Sequence, residues 1–374
     1  MAASYSLATQ RRCAASGGAY VVALVASGGS SSSACLAASL AESGAKGSSL
    51  LEVLSSDLRP LRSIRSTHGR AAATDLAFLT GSQSEFLSCG EDGAVRLWDV
   101  RVKGAAPQRV LRQPSQEAVV SLAVGDGGKL CACAVGSTIS VLDIASGKDL
   151  LAHSEAHSEP VGCLRFHPER QHELVTSGDD GLLCVLDVRR EQEDDSDLLL
   201  VLNTGEMVRS LSFAAESKDL LCTISTSEVL QLWSLSQQRL GVACGRLDLR
   251  SDSRLQVGES DGYVVDVLYD DSSGRASVLA GSVDGALVLY HLNLEGATFS
   301  QALPSGRVSS VGGHKAVVRA SAQLGPTAFA TGGEDGVICL WKPSDEEAGI
   351  SSTPVGQSPA KKRRNSDAGG SHGS

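Results

Sequence analysis

Long apolar runs are missing from this 374-residue chain. The largest, Tyr20–Ala26 with Ala19 before it, has eight residues, far below the ~20 that a membrane-crossing helix needs. No extended apolar core near the start suits a secretory signal. Paired cysteines are missing as well. The ten cysteines are scattered, with no CxxC and no accompanying histidine set, so neither a zinc site nor a disulfide framework is expected. Reduced thiols in an intracellular protein follow, and Cys131 and Cys133, alternating along one segment, share a face as small buried apolar side chains do. Positive charge is in deficit: 33 Lys and Arg against 43 Asp and Glu leave a net charge of -10. That gives no general case for nucleic acid and favours solubility. Acidic residues are absent before Glu42, and Arg11-Arg12 sits in a Ser/Ala-rich start that faintly resembles an organelle transit peptide. A frayed terminus contributing an outer strand is the simpler reading.

What the chain has is one recurring unit. Phe86–Arg101, FLSCGEDGAVRLWDVR, reads as strand, turn, strand. Gly90-Glu91-Asp92-Gly93 carries the turn chemistry, Asp-Gly being favoured in two-residue hairpin turns. The alternation that follows puts Val95, Leu97 and Asp99 on one face and Ala94, Arg96, Trp98 and Val100 on the other. The unit returns as Leu174–Arg189 and as Phe329–Lys342. Counting by the Trp98 position, the equivalents are Leu54, Leu142, Leu186, Trp233, Tyr290 and Trp341. The first three steps between them are 44 residues each, and the later ones 47, 57 and 51. A step held in this way is the mark of a repeat architecture, with a period suited to four-stranded propeller blades.

Within the best copies the polar residues are spaced alike. His68, Ser88, Asp92 and Trp98 are matched by His314, Thr331, Asp335 and Trp341; His157, Thr176 and Asp180 recur with Leu186 in the Trp place. With the closing Trp98-Asp99, these residues resemble the repeats of the WD-repeat β-propeller family over about Tyr20–Lys342. The resemblance implies an all-β, seven-bladed WD-repeat propeller and a hydrogen-bond tetrad in which the turn Asp accepts from the His, the His reaches the hydroxyl, and the hydroxyl meets the indole N–H. It also implies a protein-binding scaffold without catalytic activity. A His beside an Asp and a Ser can also be read as a catalytic triad, but a set repeated in several blades suits a structural device better than one active site. A metal at His68/Asp92 or at His153/His157 lacks the three or four converging ligands it needs. No cofactor is expected.

The expected organisation is an N-terminal segment, 1–19, supplying an outer closing strand; a propeller, 20–343; and a disordered tail, 344–374. In the family the hairpin turns lie on the top rim, which makes Glu91, Asp179 and Glu334, with Asp284, candidate acids for binding a basic peptide. Trp98-Asp99-Val100-Arg101 resembles the box of cullin-4 ubiquitin ligase substrate receptors, and Asp187-Val188-Arg189 is a partial copy. Asp99, Arg101, Asp187 and Arg189 are therefore candidates for docking the ligase adaptor. Lys361, Lys362, Arg363 and Arg364 form a candidate nuclear-import patch beside Ser366, a basophilic kinase-like site. The expected partners are other proteins, with no nucleic acid and no membrane, for a protein monomeric within a larger complex in the nucleus or cytoplasm.

Overall fold

The computed structural model describes residues 5–13, 18–28, 33–42, 49–65, 67–69, 72–189, 197–213, 219–235, 245–248, 262–270, 275–292, 303–307, 313–325 and 328–343. The expected tail, with its basic cluster at 361–364, lies outside them. The strands are β1 (Tyr5–Arg12), then β2 (Ala19–Ala26), β3 (Cys35–Glu42), β4 (Ser49–Ser55) and β5 (Pro60–Arg65) in blade 1. Blade 2 holds β6 (Ala73–Phe78), β7 (Glu85–Gly90), β8 (Val95–Asp99) and β9 (Arg109–Arg112). Blade 3 holds β10 (Val119–Gly125), β11 (Leu130–Val135), β12 (Thr138–Asp143) and β13 (Asp149–His153). In blade 4 are β14 (Val161–Phe166), β15 (Glu173–Gly178), β16 (Leu182–Asp187) and β17 (Leu198–Asn203). Blade 5 has β18 (Val208–Phe213), β19 (Leu220–Ser225), β20 (Val229–Ser234) and β21 (Gly245–Asp248), and blade 6 has β22 (Tyr263–Asp270), β23 (Arg275–Gly281), β24 (Leu287–Leu292) and β25 (Leu303–Arg307). Blade 7 takes β26 (Val318–Leu324), β27 (Ala328–Gly333) and β28 (Val337–Pro343) from the end of this series and β1 from its beginning. Each blade is one four-stranded antiparallel sheet, and the seven make an all-β propeller.

The core is divided among the seams between blades. Val95 and Leu97 of blade 2 pack with Val119, Leu122 and Cys133 of blade 3, while Phe86 and Trp98, on the opposite face of blade 2, pack with Leu51, Val53 and Ile64 of blade 1. The same arrangement joins each remaining pair of neighbours, and Leu24, Leu36 and Leu54 of blade 1 meet Leu324, Ile338 and Leu340 of blade 7. Each strand of a blade therefore alternates between two seams, which is the physical origin of the period-2 apolar pattern on both faces. The low share of aromatics is made up by Leu, Val, Ala and Cys, small enough for blades to approach closely.

Every inner strand carries one extra residue. The pairing of β6 with β7 slips between Ala73 and Asp75, and equivalent slips follow Val21, Val119, Val161, Val208, Val264 and Val318. These are β-bulges. In blade 2 the bulge frees Asp75 to clamp the next blade: Oδ1 accepts the Leu76 N–H (2.8 Å), while Oδ2 accepts the Leu122 N–H (3.0 Å) and the Ser121 hydroxyl (3.1 Å). Asp266 repeats the device between blades 6 and 7, accepting from the Val267 N–H (2.8 Å) and the Ser321 hydroxyl (2.7 Å).

Blade 7 is completed by β1, whose residues Tyr5–Arg12 run antiparallel to Pro343–Val337. Tyr5 lies edge-on to Phe329 at 5.3 Å between ring centres. Removing residues 1–12 strips one flank of blade 7 and leaves an open strand edge. We expect a loss of about 3 kcal/mol or more in urea unfolding, recovered by adding a peptide of residues 5–12. An unchanged midpoint would show that the ring is held without β1.

Candidate functional site: the hairpin rim and its buried tetrads

The turn between the second and third strands of a blade is where the sequence concentrates its polar chemistry. In blade 2 the Gly93 N–H donates to the Gly90 carbonyl (3.0 Å), so Glu91 and Asp92 occupy the two corners of the turn. Neither corner has positive φ, whereas Gly93 does, at 71°. The expected two-residue Asp-Gly turn is thus replaced by a longer loop whose glycine follows the corner, because a primed turn would need positive φ at both corner residues. Gly90 serves a different purpose: a Cβ there would fall 2.5 Å from His68 Nδ1. Gly178 and Gly333 stand in the same relation to His157 and His314, at 2.5 and 2.7 Å. The recurring Gly-x-Asp-Gly is therefore a slot for an imidazole as well as a turn.

Into that slot the loop before each inner strand delivers its histidine. His68 Nδ1 lies 2.7 Å from Asp92 Oδ1 and its Nε2 lies 2.8 Å from Ser88 Oγ, which accepts the Trp98 indole N–H at 2.8 Å. The polarity runs one way. With the indole as donor and the carboxylate as acceptor, the hydroxyl proton is assigned to Nε2 and the ring proton to Nδ1, which makes a neutral histidine; Arg96 Nη1 also lies 2.7 Å from Nδ1. Burial, outweighing Asp92 beside it, holds the His68 pKa below the ordinary histidine value. Burial would raise the Asp92 carboxyl, but hydrogen bonds from Arg96 and His68 prevail and hold it below its usual range. Arg96 closes the site through a 2.8 Å ion pair to Asp92.

Blade 7 repeats the set with His314, Asp335 (3.2 Å), Thr331 (2.8 Å) and Trp341 (2.8 Å). In blade 4 His157 joins Asp180 (3.1 Å) and Thr176 (2.8 Å), and Leu186 leaves the hydroxyl without an indole donor. Blade 5 contains a remnant that the sequence reading passed over: Trp233 donates to Thr223 at 3.3 Å. Its signal was the same ten-residue spacing from hydroxyl to tryptophan. Ser88, Thr176 and Thr331 are completely buried, so none can meet a substrate as a nucleophile would. Among the described residues no cluster of His, Cys, Asp and Glu is arranged to hold a metal ion.

The other candidates lie outside the tetrads. Glu91, Asp179, Asp284 and Glu334 are all exposed, but their surroundings differ. Glu334 pairs with Arg319 (2.8 Å), the extra residue of the β26 bulge, and Asp284 accepts the Ser282 hydroxyl. Arg101 folds back on the buried Asp99 with Nε at 3.0 Å and Nη2 at 2.8 Å. Arg189 holds Asp187 in the same way, at 3.1 and 2.9 Å. These arginine hydrogen bonds keep both carboxyls below the usual range. Arg62 of blade 1 donates to the Asp99 carbonyl, steadying this corner from the neighbouring blade.

Comparison with known proteins agrees with this construction. The WD40 family profile, "WD domain, G-beta repeat", matches residues 59–99 and 148–187. "WD repeat-containing protein 89 homolog" of Dictyostelium discoideum is 28% identical over 200 residues, 53% of this chain and 53% of that protein. "WD repeat-containing protein GTS1" of Arabidopsis thaliana is 27% identical over 275 residues, covering 70% of this chain and 67% of the relative. The chain thus spans about half the length of the Dictyostelium relative.

Two outcomes follow. Ser88→Ala strands the Trp98 indole and His68 Nε2 and is expected to cost about 1–3 kcal/mol in urea unfolding; Thr176→Val, with no indole to strand, should cost less. Equal losses would contradict the tetrad polarity. The unfolded chain regains the ordinary His68 pKa of about 6.5, so as pH falls it takes up the proton before the folded protein does. Stability is then full above about pH 6.5 and declines below it, with buried His167, whose pKa is also lowered, acting in the same sense; Asp92 adds to the loss only below about pH 3.9. Unfolding midpoints measured from about pH 7 to about pH 5 should fall, and His68→Gln should flatten part of that slope.

Proposed function

The chain is a WD-repeat β-propeller, and from that premise we propose that it acts as a non-catalytic scaffold that holds other proteins on its rims. WD-repeat propellers generally mediate protein–protein interactions and are generally non-catalytic. The observation that carries the reading to this chain is the burial of every tetrad hydroxyl: the His-Asp-hydroxyl sets that resemble catalytic machinery are sealed inside the blades and recur as a brace. Exposed Glu91 and Asp179, at the corners of otherwise braced turns, favour a lysine- or arginine-rich peptide as ligand.

A second reading is favoured by one specific observation. Two copies of Asp-Val-Arg, two blades apart, hold their arginines in the same bidentate geometry with 70% and 62% of the side chain exposed. Paired arginines of fixed pose suit docking on an acidic partner such as the adaptor of a cullin-4 ubiquitin ligase.

Affinity purification of the tagged full chain from cells separates the two. Loss of the adaptor from Arg101→Ala with Arg189→Ala supports the receptor; retention excludes docking through these residues. Undiminished binding of basic peptides after Glu91→Gln, Asp179→Gln and Glu334→Gln together removes the acidic-rim preference. Nuclear entry rests on Lys361–Arg364, and an unchanged distribution without them would end that proposal.

A further inference from the structure

Six of the seven blades take their outer strand from the residues that follow their own third strand; blade 7 takes β1 from the opposite end of the series. Covalent succession selects the six. For β1 the choice falls to its side chains. The apolar grip on it is modest: Tyr5 and Leu7 are half-buried against the seam with blade 6, and no residue of Tyr5–Arg12 is completely buried.

The other face of β1 brings a charge. Arg11 stands opposite Ile338, which packs in the seam with blade 1, and its Nε lies 3.6 Å from Glu52 Oε2. Glu52 is completely buried. It shares a face of β4 with Leu50 and Leu54, in the seam where blade 1 meets Ile338 and Leu340 of blade 7. In blade 2 the residue at this position is Arg96, which pairs with the turn aspartate of its own blade. Blade 1 has Ala38 where blade 2 has Ser88, and Leu54 where it has Trp98. A carboxylate thus occupies the region of a missing tetrad, and a guanidinium from the far end of the ring faces it.

Cys13 completes the arrangement. Its N–H donates to the Gly336 carbonyl of the blade 7 turn (2.9 Å), and its side chain is buried. Burial, and after it the Glu52 charge, push the Cys13 thiol up to about 12, so it stays neutral beside the carboxylate. A carboxylate buried without its counter-ion is strongly destabilising, whereas exchanging both charges for apolar groups costs little. A closing strand without the guanidinium would leave Glu52 in the first condition. So would β1 slipped by one residue, which turns Arg11 to the opposite face.

We propose that the Glu52 carboxylate and the edge of β28 form a recognition site for an extended segment bearing an arginine, and that Arg11 in this site selects β1, in this register, as the strand that closes the ring. Backbone pairing with β28 holds the strand, and the ion pair decides which strand is held. Arg11 and Glu52 are positioning residues, and the site is independent of the hairpin rim and of the Asp-Val-Arg corners.

The test uses the full chain and reads release of β1 as the rate at which iodoacetamide labels Cys13, located by mass spectrometry. Cys131, buried between blades 2 and 3, is the internal control. Arg11→Met is expected to raise the Cys13 rate at least about a hundredfold and to leave Cys131 unchanged. Glu52→Met leaves Arg11, whose side chain is 26% exposed, able to turn to water, and should raise the rate less. Arg11→Met with Glu52→Met should return it to within about tenfold of the unaltered chain. A rate unmoved by Arg11→Met would overturn the proposal. So would a double variant as open as Arg11→Met alone, or equal acceleration at Cys131, which would make the pair a support of the whole fold. If Arg11→Met does not fold, the double variant still decides: recovery of the fold supports the proposal, and continued failure overturns it.

Discussion

Among the described residues, no blade of this protein has a core of its own. Each sheet buries both faces against its neighbours, so the apolar residues find cover only when the last blade meets the first. That meeting is secured by β1, which lies at the start of the chain and completes the sheet at the end of the series. The matched repeats show the same offset in sequence. Residues 59–99 begin in β5 of one blade and end in β8 of the next, and residues 148–187 run likewise from β13 to β16. A sequence repeat that straddles two blades ties each to its successor covalently as well as through the seam, and leaves one outer strand to be supplied from the opposite terminus.

Given a closed ring, the blades need not be equally well built. Blades 2 and 7 have complete tetrads, blade 4 lacks the indole, and blade 5 retains only the indole and its hydroxyl. In blade 3, Cys131 opposes Leu142 where Phe86 opposes Trp98 in blade 2, and the polar chain is replaced by apolar contact. Because a buried polar group without a partner costs more than a made hydrogen bond gains, a partly lost tetrad is tolerable when donor and acceptor go together. Blade 5 has lost its imidazole along with the turn aspartate, which is the economical way to lose either.

The fold was legible in the sequence because its strongest signals are local. The Gly-Glu-Asp-Gly and Gly-Asp-Asp-Gly turns and the 44-residue step identify the inner three strands of a blade. The outer strands were harder to see: β9 is four residues long and half arginine, and nothing about Arg109–Arg112 read alone distinguishes a strand from a loop. The bulged residue itself was not legible, since residues as different as Thr74, Gly162 and Arg209 occupy that place, although the residue before it is valine in six of the seven blades. The role of Gly90 as room for an imidazole could have been found by noting that the first glycine of the turn recurs with the histidine, at Gly178 and Gly333. The inter-blade clamps of Asp75 and Asp266 could not, because they depend on a register shift that only coordinates reveal.

The bulge ring has one more consequence. At Val22, Thr74, Val120, Gly162, Arg209, Val265 and Arg319 the backbone is released from strict pairing in every blade at the same level. Several of these residues reach across a seam instead: the Thr74 hydroxyl donates to the Val119 carbonyl of blade 3 and Arg209 to the Val264 carbonyl of blade 6, while Val265 is buried between blades 6 and 7. The irregularity that interrupts each sheet thus supplies stitches between sheets, and the ring is laced together at the level where its ladders are broken.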